Sequence, residues 1–362
     1  MNAETGAFEF FETMHRAFEV ACARTGTTER FFKIGAHTLR LCFAEGRDDG
    51  QEDGRDDPAP TFAARMTRAL AHLASPPMPN PALNVLLWDD ATTDTRLPRL
   101  PWQFQSTAKQ FATIHSLNTE RIYATFNEYG GILNVFDVET NTALFWTPDA
   151  RRVPTHEWST PLRNILHWFW MHNGAFMIHS GAVGLPNGGV LLAGKAGAGK
   201  STTAVACLES ELRYAADDYC VLAAEPQPWV YSMYSSAKLH GENLARVPHI
   251  KHVVANAGEL GTEKATVMLH EAWAEKLILQ FPLRAIFLPR VSGARDTQLF
   301  PATYAESIRA LTLSTISIMP RTDSFAVQKL NRLIQTIPAY HLELGTDMKQ
   351  IPQVILKILE QN

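Results

Sequence analysis

The eight residues Gly194-Lys195-Ala196-Gly197-Ala198-Gly199-Lys200-Ser201 satisfy G-x-x-x-x-G-K-[ST] at every position. An apolar run, residues 189–193 (GVLLA), leads in, and a helix-forming stretch, residues 201–212, leads out. That context predicts a buried strand, a glycine turn and a helix, so this part of the chain must be a layered α/β structure. The chemistry follows from the residue types. Glycines let successive backbone N–H groups turn inward around phosphate oxygens. Lys200 then reaches the outer phosphates, and the Ser201 hydroxyl ligates Mg²⁺. The expected nucleotide contacts are Gly194, Ala196, Gly197, Ala198, Gly199, Lys200, Ser201 and Thr202, with ATP and Mg²⁺ as the ligands.

Several function classes are excluded by composition. A formal charge of -4 with 19% charged residues supplies no basic field for nucleic acid or an anionic membrane. The aromatic stretch at residues 165–178 (ILHWFWMHNGAFMI) is too short and too polar for a membrane span, and the N-terminus lacks the pattern of a signal peptide. Cys22, Cys42, Cys207 and Cys220 form no C-x-x-C pair and read as buried thiols of a cytoplasmic protein.

A chain of 362 residues accommodates two domains. The first, residues 1–153, reads as a small α+β domain with an antiparallel sheet. It has an amphipathic N-terminal helix, strands at 38–43, 83–88, 122–127 and 132–137, and a polar acidic loop at 44–60. The second, residues 154–362, carries the glycine loop. Its expected elements are a helix at 162–172, strands at 213–216, 284–288 and 340–344, and a last helix at 347–360.

A phosphate loop specifies a nucleotide but not a reaction. The metal-directing acid of such proteins ends an apolar strand, yet the candidate strand at 282–290 ends in Pro289 and Arg290. The acidic pair soon after the loop is Asp217-Asp218, behind a short strand expected to return beside the loop strand. One carboxylate there can help hold Mg²⁺ while the other takes a proton from an attacking hydroxyl. His179 lies in the segment 177–183 (MIHSGAV), at the end of what reads as a strand before the loop strand, where a core histidine and a catalytic one are both open readings. Arg290, at the end of its strand, is a candidate charge-stabilising arginine. The hydroxyls of 312–317 (TLSTIS) read as helix surface.

Together IHSGAV, GKAGAGKS and YAADDY resemble the catalytic domain of HPr kinase/phosphorylase, a serine kinase whose fold is related to phosphoenolpyruvate carboxykinase. The resemblance spans about residues 162–241 and implies a P-loop catalytic domain of that fold. By its pattern Asp217 is the general base, His179 lies near it, Lys200 binds phosphate, and Ser201 and Asp218 manage the metal. Lys238-Leu239-His240-Gly241 stands where the family carries E-x-R-G, so Lys238 and His240 become candidate contacts to the transferred phosphoryl group. The stretches LHWFWMHNG and SMYSSAKLHG look like a divergent branch that phosphorylates the C-terminal serine of lasso-peptide precursors. The expectation is a kinase of a peptide or small protein, as a possible homo-oligomer. A nucleotide-binding regulatory module and a kinase of a free small molecule are the alternatives.

Overall fold

The computed structural model describes residues 3–45, 60–99, 112–114, 117–224, 227–316, 318–320 and 324–361. The acidic loop expected at 44–60 falls largely outside these residues. By its contacts the chain divides into two compact units, residues 1–68 with 74–172, and residues 69–73 with 173–362. The helix Arg163–His172 therefore belongs to the first unit, whereas the sequence reading began the second at residue 154.

In the first unit a seven-stranded sheet runs in the order β1-β2-β3-β7-β6-β5-β4. The strands are β1 (Thr28–Ile34), β2 (His37–Phe43), β3 (Leu83–Asp89), β4 (Ala112–Thr113), β5 (Ile122–Asn127), β6 (Ile132–Asp137) and β7 (Thr142–Thr147). Its antiparallel character holds only in part, because β3 lies parallel to both β2 and β7. The crossover between β2 and β3, which contains the helix Phe62–Thr67, returns the chain parallel to β2, and the β4–β6 meander brings β7 alongside β3. The N-terminal helix Ala3–Thr25 buries Ala7, Phe10, Phe11, Met14, Phe18 and Ala21. That spacing is one face of a 3.6-residue period, and it closes a core with Trp88, Leu133 and Trp146.

Eleven strands follow in the second unit: β8 (Ala175–His179), β9 (Gly181–Leu185), β10 (Gly188–Leu192), β11 (Arg213–Ala216), β12 (Tyr219–Ala223), β13 (Trp229–Ser232), β14 (Ser236–Leu239), β15 (Ala265–Met268), β16 (Gln280–Val291), β17 (Gln298–Ala302) and β18 (Ala339–Leu344). The main sheet runs β11-β9-β10-β16-β13-β12-β8, with β18 added to β16 and β17 to β18; β14 and β15 pair apart. The unit is thus a mixed α/β structure, not a uniformly parallel one. Strand β11 pairs with β9, one strand away from the loop strand beside which the sequence reading placed it. His179 ends β8, as expected of a residue at the end of a strand, and the next residue, Ser180, bonds the Leu192 carbonyl through its hydroxyl at 2.9 Å.

Strands β10, β16 and β18 are mutually parallel, so their carboxyl ends share one edge. Ligands of such sheets bind at that edge. The C-terminal helix Gln350–Gln361 buries Ile351, Ile355 and Leu359 and packs on the short helix Lys200–Ala206, so hydrophobic burial fixes the ground on which the glycine loop stands. Among the described residues, no helix is long and apolar enough to cross a membrane.

Candidate active site

Leaving β10, the chain enters the glycine loop with positive φ at Gly194, Gly197 and Gly199. The constraint is sharpest at Gly199, which begins the loop helix at φ 106 and whose absent Cβ would meet Leu344 Cδ1 at 2.3 Å. Any other residue there would be strained by the positive φ and would have to displace the Leu344 side chain. Lys200 is buried, its Nζ donating to the carbonyls of Gly194 at 2.8 Å and Lys195 at 3.3 Å. Burial lowers its pKa, and the Asp217 and Asp218 carboxylates oppose that.

A cavity of about 300 Å³ opens on this loop. Ala196, Gly197, Gly199, Lys200, Ser201 and Thr202 form one wall. His179, Asp218, Lys238 and His240 line it as well, and Val291, Leu344 and Gly345 close it from the ends of β16 and β18. The structure therefore brings most of the sequence-derived residues to one place. Four stand apart from the cavity, the buried Asp217 among them. Gly194 lines a neighbouring one, and Ala198 turns back with its N–H on the Lys195 carbonyl at 3.2 Å. Arg290 is exposed, ion-paired with Glu343, and outside both cavities.

The two aspartates sit at the bend between β11 and β12 and occupy different environments. Asp217 is 1% exposed. Its Oδ2 accepts the backbone N–H of Lys238 at 2.7 Å, and its Oδ1 has no hydrogen-bond partner among the described residues. Burial and the adjacent Asp218 charge push its carboxyl up to about 7, only partly offset by the Ser201 hydroxyl and the Lys238 N–H. Asp218 lines the cavity, with His179 Nε2 at 3.7 Å from one oxygen and Lys238 Nζ at 3.4 Å from the other. Burial would raise this carboxyl, but Lys238 and His179 outweigh it and hold it well below the usual carboxylate range.

His179 is held by both backbone and ring. Its N–H donates to Thr315 Oγ1 at 3.1 Å, its carbonyl accepts from Ser314 Oγ at 3.3 Å, and its ring lies 5.3 Å from that of Tyr219, its cross-strand partner. Thr315 is buried, so this part of TLSTIS is not the helix surface that the sequence suggested. The helix covers β8, and its hydroxyls satisfy the strand end. Sequence reasoning also missed Arg246 and Lys264, two further cations lining the cavity. They lie in irregular segments between β14 and β15, where no periodicity or motif marks a residue.

The donor set fits a hard cation. Ser201 offers a hydroxyl and Asp217 a buried carboxylate with one unpartnered oxygen, and Mg²⁺ needs few protein ligands because it keeps its waters. A nearby cation would also relieve the elevated pKa of Asp217. No cluster of three or more His, Cys, Asp or Glu suited to a metal occurs among the described residues, so a site here would be completed by water and phosphate oxygens.

No family model matches the chain, and no curated protein matches it. Among solved structures, the Hpr(Ser) kinase/phosphatase from Coxiella burnetii aligns with 51% of this chain and 94% of its own length, at 10% sequence identity and a TM-score of 0.29. None of these findings bears on the lasso-peptide branch. A superposition this loose leaves the activity to be argued from the chain's own residues.

Proposed function

We propose that the second unit is an ATP- and Mg²⁺-dependent phosphotransferase that acts on a serine-type hydroxyl of a peptide or small protein. The observation that carries this reading is the placement of Asp218 in the same cavity as the glycine loop, flanked by His179 and Lys238. A nucleotide-binding module without chemistry has no need of an ionised carboxylate facing the outer end of its phosphate site.

In this reading the two aspartates exchange the roles that their order suggests. Asp217, buried beside Ser201 with an unpartnered oxygen, serves the metal, and Asp218, facing the cavity, serves the acceptor. The loop amides and Lys200 hold the phosphates. Bound Mg²⁺ would neutralise charge on the phosphate oxygens. Asp218 orients the acceptor hydroxyl and takes its proton as the oxygen–phosphorus bond forms and the β–γ bridging bond breaks, releasing ADP. His179 positions Asp218, and Lys238 neutralises charge on the moving phosphoryl group. Most of the rate comes from alignment and electrostatics, because the low pKa of Asp218 makes it a weak base.

The test is incubation with γ-labelled ATP, Mg²⁺ and peptides that end in Ser, carry internal Ser, or lack it. Label on serine peptides, lost in Asp218→Asn, is the expected result. ATP bound without transfer to any peptide would favour a regulatory module. Label appearing only on a small alcohol would favour a small-molecule kinase.

A further inference from the structure

A second cavity, of about 500 Å³, adjoins the first and shares His179, Ala196 and Ile318 with it. Gly194 and Lys195 continue that wall, and Leu288 belongs to β16. The opposite wall is one face of the helix Tyr304–Ile316: Glu306, Arg309, Ala310, Leu313 and Ser314, spaced three and four apart. A chamber that meets the phosphate cavity at His179 has the position of an acceptor entrance.

Its chemistry is uneven. Glu306 is already engaged, accepting the N–H and hydroxyl of Thr303 at 2.9 and 2.7 Å and facing His341 Nε2 at 3.2 Å. Arg309 is exposed and has no carboxylate partner among the described residues, and Lys195 likewise has none. The unbalanced charge is thus positive. The wall residue Leu313 is 64% exposed, and Ile316, three residues on and outside the lining, is 40% exposed, so an apolar strip runs outward from the chamber. A ligand that follows the strip extends past the chamber, as a peptide chain does and a free metabolite does not.

Resting on the kinase reading, we infer that this chamber receives the acceptor peptide, which carries an acidic side chain for Arg309 and an apolar side chain for the Leu313 strip beside its serine. The carboxylate is that of an internal Asp or Glu, since the strip leads the chain onward instead of ending it.

Binding is measured on the full chain by fluorescence anisotropy. The probes are labelled octapeptides with a central Ser flanked by Leu and Glu, and the same peptides with Gln for Glu. The acidic peptide is expected to bind about tenfold tighter than its neutral twin, the size of one charge-assisted contact at a partly wet site. Arg309→Gln should abolish that ratio and Arg309→Lys restore part of it. Leu313→Glu, at an exposed position that does not endanger folding, should weaken the acidic peptide further. Equal binding of the two peptides, no binding of either, or a preference that survives Arg309→Gln would overturn the assignment. Phosphate transfer is read separately. Peptide bound with the expected preference but never labelled would sink the kinase reading and keep the chamber. Label placed equally on acidic and neutral peptides, with equal KM, would do the reverse.

Discussion

Both units bury aspartates, and the way they do so differs. In the first, Asp137 is 0% exposed, and both its oxygens are used: Arg121 donates to them at 2.9 and 2.8 Å, the Glu139 N–H at 3.1 Å, and the Thr140 hydroxyl at 3.0 Å. Asp89, also 0% exposed, accepts the N–H groups of Thr92 at 3.2 Å and Ala150 at 3.0 Å. In the second unit, Asp217 leaves one oxygen unpartnered, and Asp218 meets the Lys238 ammonium and the His179 ring only at 3.4 and 3.7 Å. A saturated buried carboxylate holds a fold together; an unsaturated one is held ready for something else. The energy lost by leaving Asp217 under-bonded is recovered only when a ligand supplies what the protein withholds.

That contrast can be broken at four points. The largest effect is expected from Asp218→Asn, which should lower kcat for peptide phosphorylation by about 10³-fold, far more than the modest loss of melting temperature from its broken pair with Lys238 would explain. A drop in stability with normal turnover would instead make Asp218 structural. Next, Asp137→Asn should cost about 1–2 kcal/mol in urea unfolding, because it weakens the buried carboxylate's bonds to Arg121 while Glu139 still pairs with that guanidinium, and should leave nucleotide affinity intact. A neutral result would deny the saturated network its structural role.

The third point is pH. Asp217 keeps its proton in the folded chain up to about 7 but loses it near 3.8 when unfolded, so its contribution to stability falls as pH rises between those values. Asp218 has the opposite sign: its depressed pKa stabilises the fold above the ordinary carboxylate range and is lost as pH falls below it. Without Mg²⁺, Asp217→Asn should therefore flatten the decline in stability between about pH 4 and pH 7. Adding Mg²⁺ with ADP to the parent at pH 6.5 should release protons, and the variant should release fewer. An unchanged slope in the variant would mean that Asp217 is already ionised, and with it the metal role would lose its support. The smallest effect belongs to Arg290→Ala: with the guanidinium exposed on Glu343 and away from the cavity, turnover and nucleotide affinity should not change measurably. A large loss of turnover would return Arg290 to the site.

The strands at Ile122–Asn127, Ile132–Asp137 and Arg213–Ala216 were legible residue for residue, since each is a short β-rich run bounded by turn or polar residues. The first strand, Thr28–Ile34, was not. Its TERFFKI carries charge on an edge strand half open to solvent, which weakens the apolar signal. The strand Thr142–Thr147 follows its neighbour so closely that its pattern merges into the turn before it. Parallel pairing was also invisible, because it depends on where a crossover returns and not on the residues of the strand itself.

For the site, local chemistry and spatial arrangement divide cleanly. The amino-acid sequence by itself determined the glycine loop, because glycine at positive φ, a following lysine and a hydroxyl are features met within eight contiguous residues. It also determined that an acidic pair lies close by. Which carboxylate faces the cavity was decided by the bend between β11 and β12 and by the Lys238 N–H that holds Asp217. Arg246 and Lys264 at the wall, Thr315 under His179 and Arg290 outside were likewise decided only by packing. These placements join residues far apart in the chain, and long-range burial, which no local pattern encodes, sets them.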